Sequence, residues 1–421
     1  MRIKIPDFLT TCIGIHLLLV VHLTYPQSNN ERNEAFEGRS TFLNNSASKN
    51  LQLGNHALDE GNYDLAIDYY DASLYKNHLL TEAYYARAMA KEWKGLQKAA
   101  LTDYNILLEL VPEHKEGIMA RAILRYNLEQ FNLAFEDFEK FLTLPNGETT
   151  AVFFRSSLFE SGTDKIITAQ GASAEIYNYM GLSKTGLGAF NEAIIYFNKA
   201  IQLNPNASDY IVNRGIVFEK LGDKIKAIKD YQLALRVDPD NALASYNLGS
   251  LATAAGENQL ALQTYSEAIS KDPTLAYAYT ERAFTKLQMN DLQGALIDYD
   301  SALVLDPHDP ENWYNRGLVK SRVEDYESAI NDFNMAIDLE PAYENAYLSR
   351  ANTLIKMDEY QAAMDNYKLA IFYYPGFALA YYNRAIARYN HDDADGACKD
   401  LQTAISLNFE IAHSTFNKIC K

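Results

Sequence analysis

The chain has 421 residues, which is long for one compact core and natural for an array of repeated units. Its formal net charge of −17 repels phosphate backbones and argues against nucleic-acid binding. Three cysteines are too few for a dense disulfide scaffold, and 48% apolar residues are too many for a disordered chain.

The chain begins with a segment, residues 1–27, that has the order of an export signal. Two basic residues among the first four precede a mostly apolar run, 8–21, and a polar stretch follows. This order predicts an exported protein of the periplasm or cell envelope, or a secreted one. No small-x-small cleavage site is evident, so a cleaved signal, an uncleaved membrane anchor and a lipid anchor at Cys12 all stay open. Residues 28–46 are polar and aperiodic, which predicts a flexible linker.

From residue 47 onwards the sequence repeats every 34 residues, with one break. Two apolar-periodic runs in each repeat predict a pair of helices. The eighth position is Gly or Ala, the twentieth is Ala, and the twenty-fourth is aromatic in nine repeats. Small residues allow close helix packing, and the ring fills space between one pair and the next. Repeats one to three cover 47–148 and repeats four to ten cover 174–411. They start at Ala47, Thr81, Lys115, Ala174, Ser208, Ala242, Ala276, Pro310, Glu344 and Ala378.

The turn within each repeat is marked at position fifteen. Six repeats carry Gly or Asn there, which accept the left-handed conformation that ends a helix. The other four carry Glu129, Glu324, Asp358 and Asp392, so less ideal turns are expected in those repeats. Proline closes seven repeats, and it cannot continue the second helix.

Ten in-register repeats with these fixed positions resemble the tetratricopeptide repeat family, over nearly the whole chain after the linker. The resemblance implies an all-α fold, an α-solenoid in which antiparallel helix pairs stack into a right-handed superhelix with a concave groove. Elementary packing agrees, because one helix pair cannot bury its apolar face and needs neighbours to cover it.

A second regularity appears when the repeats are compared with one another. Position seven is Arg in seven repeats, and sixteen residues later six of these have Asp and one has Asn. Where position seven is apolar, the later position is Tyr or Thr, so the two polar groups occur together. This predicts structural ion pairs between the two helices of a repeat. Among them are Arg214 with Asp230, Arg282 with Asp298, and Arg316 with Asp332.

The break in register is an insertion, 149–173, between the third and fourth repeats. Two stretches rich in β-branched and aromatic residues, 151–154 and 165–169, flank a turn-like segment. They predict a short hairpin or a partly ordered loop. The insertion is either a tolerated addition or a partner contact, since function gathers on loops held by rigid scaffolds.

A last helical segment begins near Glu410, and its C-terminal part, 412–421, is predicted to cap the open apolar end of the array. Without the signal, Cys398 and Cys420 are the only cysteines, so they form either a disulfide or two free thiols. An export signal together with a terminal repeat of this kind, ending in Cys, resembles repeat proteins of Bacteroidetes-type bacterial envelopes.

No catalytic constellation appears in the sequence. The eight histidines fall at unrelated positions, none is paired at the spacing of a zinc hydrolase, and there is no phosphate loop or nucleophile elbow. A non-enzymatic protein that needs no cofactor and no metal is therefore expected.

Candidate binding residues come from the first helices, which line the concave groove in the family. At position six the family often places Asn to bond the backbone of an extended peptide; the alternative is that these amides bond only neighbouring helices. This position carries Asn213, Asn247, Asn315 and Asn383. At position five, tyrosines form either an exposed aromatic stripe that grips side chains or rings packed into the groove wall. They are Tyr85, Tyr246, Tyr314 and Tyr382.

Position five has no Lys, so the family's clamp for chaperone tails is not expected. Acidic residues at position two indicate a neutral or basic ligand, or helix capping alone. The sequence therefore predicts an exported scaffold that binds a protein or peptide in its groove, with membrane association through the N-terminus as an open alternative. The alternative functions are a structural subunit of an envelope complex, acting through its ends and convex face, and a carrier of envelope glycans.

Overall fold

The computed structural model describes residues 45–144, 152–155, 164–167 and 172–420. These residues form successive pairs of helices and one two-stranded sheet, so the predicted all-α repeat architecture is confirmed. The predicted signal or anchor and nearly all of the predicted linker lie outside the described residues. None of the described helices has both the length and the apolar character needed to cross a membrane.

The chain divides into two compact units, residues 1–230 and 231–421. In the first unit, β1 (Val152–Arg155) and β2 (Asp164–Ile167) lie between the helices Phe131–Thr143 and Ala172–Gly186, and the unit boundary falls inside the helix Lys224–Val237. The helices are α1 (Ala47–Asp59), α2 (Tyr63–Lys76), α3 (Thr81–Trp93), α4 (Gln97–Leu110), α5 (Lys115–Asn127), α6 (Phe131–Thr143), α7 (Ala172–Gly186), α8 (Phe190–Leu203), α9 (Ser208–Lys220) and α10 (Lys224–Val237).

The second unit continues the same alternation of first and second helices. The first helices begin where the repeat register places them throughout the chain, except α7, which begins two residues before Ala174. The helices of this unit are α11 (Ala242–Ala255), α12 (Asn258–Lys271), α13 (Ala276–Gln288), α14 (Leu292–Leu305), α15 (Pro310–Arg322), α16 (Tyr326–Leu339), α17 (Glu344–Lys356), α18 (Tyr360–Tyr373), α19 (Ala378–Asn390), α20 (Ala394–Ser406) and α21 (Glu410–Ile419).

Each turn between the two helices of a repeat passes through one residue with positive φ at position fifteen. Gly256 takes this conformation with a φ of 77°, and Glu324 takes it with a φ of 66°. The acidic turns therefore have the same shape as the glycine turns. They are less ideal in energy and not in shape, because a residue with a side chain costs roughly 1–2 kcal/mol in the left-handed region.

The core of each repeat forms around the side chain at position twenty-four. Tyr70 and Tyr265 have no exposed surface, and each ring lies directly over the glycine at position eight of its own repeat. A Cβ added at Gly54 or Gly249 would come within 2.6 Å of that ring. Rings of this kind also contact the next repeat, so they join successive helix pairs as predicted.

The insertion contains an antiparallel strand pair. Val152 lies opposite Ile167, and Arg155 lies opposite Asp164. Of the two predicted alternatives, the hairpin is confirmed. Its first strand lies one residue later than predicted, and its second strand begins one residue earlier than predicted. The remainder of the insertion lies outside the described residues.

The last helix, α21, covers the end of the array. Ala412 is buried, and Phe416 and Ile419 pack against Leu401 and Ala404 of α20. The exposed apolar surface that a final repeat would leave is thereby reduced, as a capping element requires.

Candidate functional site

The candidate site is the face made by positions two, five, six, nine and twelve of the first helices, which we name the first-helix face. These positions share one side of a helix because of its 3.6-residue period. Hydrogen bonds that involve position three join neighbouring first helices beside this face. Tyr210 donates to Glu175 at 2.5 Å in the first unit, and Thr280 donates to Asn312 at 2.8 Å in the second.

The four asparagines at position six divide into different environments. Asn213 Nδ2 donates to Asn178 at 3.0 Å, and Asn383 Nδ2 donates to Asn352 at 3.2 Å. These two amides bond neighbouring helices, as the alternative to peptide binding expects. Asn315 is half-buried. The Nδ2 of Asn247 is buried and has no hydrogen-bond partner among the described residues, so the scaffold leaves this donor unused.

The tyrosines at position five do not form an exposed stripe. Tyr246 is only 7% exposed, and its ring packs edge-on against Tyr277 with centroids 4.5 Å apart. Tyr314 and Tyr382 also lie against rings, those of Tyr343 and Phe409, with centroids 5.0 and 5.2 Å apart. These two rings lie just before α17 and α21. The exposed-stripe interpretation is wrong for Tyr246, because the next repeat supplies an aromatic partner that covers the ring.

The hydroxyls of the buried tyrosines at position twenty-four reach the first-helix face. In four repeats the partner lies at position nine or twelve of the first helix: Tyr70 with Asn55 at 2.9 Å, Tyr104 with Glu92 at 2.5 Å, Tyr265 with Thr253 at 3.1 Å, and Tyr367 with Asn352 at 2.7 Å. Tyr299 differs. In its repeat, positions nine and twelve are the apolar residues Phe284 and Leu287. The Tyr299 hydroxyl has no partner among the described residues.

Three carboxyls on this face have raised pKa values. Burial raises the pKa of Glu92 to about 7, against the opposing effect of its hydrogen bond from Tyr104. Burial and the charge of Glu311 raise the pKa of Glu281 to about 7. Glu311 is exposed as a residue, but partial burial of its carboxyl, followed by the charge of Asp309, also raises its pKa. Within the described ranges, no group of three His, Cys, Asp or Glu side chains could hold a metal ion.

The predicted ion pairs lie away from this face, between the two helices of a repeat. In each pair the arginine Nε and Nη2 donate to the two carboxylate oxygens, an arrangement we name the Arg–Asp staple. The distances are 2.8 and 2.7 Å for Arg214–Asp230, 2.9 and 2.7 Å for Arg282–Asp298, and 2.9 and 2.8 Å for Arg316–Asp332. The three aspartates are 2–8% exposed, so the staples are largely shielded from water.

Each staple extends beyond its own pair. The third donor of Arg316, Nη1, bonds Asp300 of the preceding repeat at 2.7 Å, so this arginine joins α14, α15 and α16. Lys320 Nζ also bonds Asp332 at 2.8 Å. The buried carboxylate thus accepts from two cations, and the staple fixes the register of one repeat against the next.

Models of the tetratricopeptide repeat family match three segments of the chain, 174–207, 212–276 and 295–352. The matched segments lie in both units and overlap the observed helix pairs. The chain is a tetratricopeptide repeat protein.

This tetratricopeptide repeat chain is similar in sequence to human DnaJ homolog subfamily C member 3, at 25% identity over 195 residues. That alignment covers 46% of this chain and 37% of the human protein. Mouse tetratricopeptide repeat protein 16 is 28% identical over 138 residues, which cover 33% of this chain and 16% of the mouse protein. The chain thus spans well under half the length of either relative.

Among solved structures, the tetratricopeptide array is similar to a chain of the APC/C hetero-tetramer Cut9-Hcn1. The two have 13% sequence identity and a TM-score of 0.46, and the match covers 92% of this chain and 99% of the other.

The sequence predicted the Arg–Asp pair of each staple but not two further groups that bond to it. The second cation lies at position eleven, as Lys91, Arg125, Lys286, Lys320 or Arg388. The acceptor in the preceding repeat lies at position twenty-five. Both recur at the repeat period, so aligning every column of the repeats would have found them. The unpartnered hydroxyl of Tyr299 can be predicted from the sequence only when positions nine, twelve and twenty-four of its repeat are compared together.

The two C-terminal cysteines are bonded to each other. The Cys398–Cys420 disulfide has an S–S distance of 2.02 Å and joins α20 to the end of α21. It closes a loop with a sequence separation of 22 residues. A loop of this size contributes about 3 kcal/mol in the chain-entropy account, so the disulfide strengthens the cap of the tetratricopeptide array.

Proposed function

We propose that this protein is a non-enzymatic scaffold that binds a protein or peptide on its first-helix face. The observation that carries the proposal is the unpartnered Nδ2 of Asn247. Buried polar groups in native proteins nearly always have a hydrogen-bond partner. The scaffold itself supplies one at Asn213 and Asn383, and a peptide carbonyl would supply the acceptor that Asn247 lacks.

The test replaces Asn247 with Leu, which keeps the approximate shape of the side chain and removes its hydrogen-bonding groups. The tagged full chain and the Asn247→Leu variant are incubated with envelope extract of the native host and crosslinked. Captured proteins are then identified by mass spectrometry, with each fold checked by circular dichroism. We expect a partner that the wild type captures and the variant does not.

The matched control is Gln263→Ala, on the second helix of the same repeat. Gln263 is exposed, and its side-chain amide donates a hydrogen bond to Glu267 on the same helix. This variant should capture the same partner as the wild type. If Asn247→Leu also captures it undiminished, the first-helix face is not the binding surface, and assembly through the ends and convex face is favoured.

We further propose that the protein works in an oxidising, exported compartment such as the periplasm or cell envelope. Two features support this: the basic, apolar and polar order of residues 1–27, and the Cys398–Cys420 disulfide. Disulfides persist in such compartments and are rare in the cytoplasm. Protein isolated from the native host under alkylating conditions should show no free thiol at these cysteines, and a variant lacking 1–27 should show two. Alkylation of both cysteines in the native protein would contradict the proposal.

A further inference from the structure

Two carboxylates without a counter-charge lie on neighbouring first helices of the second unit. Glu281 occupies position six of α13, where other repeats carry Asn, and Glu311 lies in the first turn of α15. The 2.8 Å bond from Thr280 to Asn312 joins these helices at residues adjacent to both carboxylates. Neither carboxylate has an ion pair or hydrogen bond with any described residue.

Tyr299 gives an independent observation at the same place. Its side chain is 0% exposed, and its hydroxyl has no partner among the described residues. Equivalent hydroxyls bond position nine or twelve of the first helix, and position nine lies one turn from position six. By analogy with these repeats, the hydroxyl of Tyr299 would lie on the side of α13 that carries Glu281. The pKa of Tyr299 agrees, since burial raises it first and the charges of Glu281 and then Glu311 raise it further.

The positive side chains nearest in sequence are already engaged by the staples. Arg282 and Lys286 each bond Asp298 at 2.7 Å, on the other side of α13. Aromatic rings, in contrast, lie near Glu311, as its effect on two tyrosines indicates. Burial raises the pKa of Tyr343, and the charges of Tyr314 and then Glu311 raise it further. The ring centroids of Tyr343 and Tyr314 lie 5.0 Å apart. Carboxylates beside aromatic rings are the surroundings that attract an organic cation.

We propose that Glu281 and Glu311 bind the basic side chain of a Lys or Arg in an extended peptide, with Tyr299 as a positioning residue. This inference rests on the proposed peptide-binding function and names the chemistry of its ligand. The cation donates to both carboxylates and removes their mutual repulsion. Their closer approach gives the Tyr299 hydroxyl an acceptor. Tyr104, which donates to Glu92 at 2.5 Å, makes the same kind of bond in the second repeat.

The first test measures binding of two fluorescein-labelled peptides, (Gly-Lys)5 and (Gly-Gln)5, by fluorescence anisotropy at about 0.15 M salt, where long-range attraction is screened. We expect the full chain to bind the Lys peptide about tenfold more tightly or better, from charge-assisted bonds to two carboxylates. The double variant Glu281→Gln, Glu311→Gln should lose this preference. The control Glu327→Gln, Glu359→Gln removes the same charge from exposed starts of second helices and should keep it.

The second test uses Tyr299→Phe, which removes the hydroxyl and keeps the ring. Because the hydroxyl is buried without a partner, the variant should melt at the same or a higher temperature than the wild type. Its affinity for (Gly-Lys)5 should nevertheless fall about threefold to tenfold, the effect of one hydrogen bond, while that for (Gly-Gln)5 stays unchanged. A purely structural role for Tyr299 predicts no such selective loss.

Three results would overturn the inference: no preference for the Lys peptide, an equal loss in the control charge variant, or unchanged Lys affinity in Tyr299→Phe. These outcomes are distinct from failure of the proposed function. If Asn247→Leu still abolishes partner capture, the peptide-binding proposal stands even when the preference for a basic residue is absent. If Asn247→Leu captures the partner normally, the proposed function fails whichever peptide is preferred.

Discussion

The Arg–Asp staple and the first-helix face share the first helices, but their buried charges have opposite surroundings. In the staple, Asp332 is 4% exposed and accepts hydrogen bonds from both Arg316 and Lys320. On the face, Glu281 is half-buried and no described residue offers it a cation. A shielded charge with two partners serves the scaffold. A shielded charge that has no partner in the chain marks a place where a ligand could supply the missing opposite charge.

The largest effect should come from breaking a staple. Asp332→Leu leaves Arg316 and Lys320 without their shared acceptor, and we expect it to lower the free energy of unfolding by about 3–5 kcal/mol. Arg316→Leu should lower it less, because Lys320 still bonds Asp332. In urea unfolding of the full chain, the double variant should cost less than the sum of the two single changes. Strict additivity would contradict the pairing.

Asp300→Leu is the matched control, because it removes the other carboxylate bonded to the same arginine. Asp300 is 60% exposed, so water reaches the carboxylate end of its 2.7 Å bond to Arg316 Nη1. Its loss should cost about 0–1 kcal/mol, as for other exposed ion pairs. A loss as large as that of Asp332→Leu would show that burial is not what separates the two aspartates.

The scaffold could be predicted from the sequence because it depends on signals that recur at a fixed period. The staples were found because Arg at position seven and its partner sixteen residues later appear and disappear together. The start of α7 was missed by two residues. It follows the insertion, so no regular turn from a preceding second helix determines where it begins, and Ala172 and Ser173 can extend it.

The face was harder to predict because each of its groups depends on a partner in another repeat. Tyr246 is buried since Tyr277 covers it, although the same position elsewhere is less enclosed. Asn213 is bonded because Asn178 happens to lie at position five of the preceding first helix. Such pairs break the 34-residue period, and one repeat's own pattern does not contain them.

The smaller expected effect concerns the pH dependence of stability, and it tests whether Glu281 is an uncompensated charge. Its pKa is raised to about 7, above the usual value of 4.5 that it regains on unfolding. Between these pH values the unfolded chain has lost the proton and the folded chain still holds it. The contribution of Glu281 to stability is therefore fully present below about pH 4.5 and is lost as the pH rises through about 7.

Glu281→Gln removes this dependence. At pH 8 the variant should be more stable than the wild type by about 1–3 kcal/mol, given about 1.4 kcal/mol per pKa unit and partial exposure of the carboxyl. Near pH 4.5 the two should unfold at nearly the same urea concentration. Glu327→Gln, which changes an exposed carboxyl on α16, should show no such divergence. A Gln variant that is less stable than the wild type at pH 8 would mean that Glu281 is compensated in the folded chain, as the staple aspartates are, and that the face has no charge left over for a ligand.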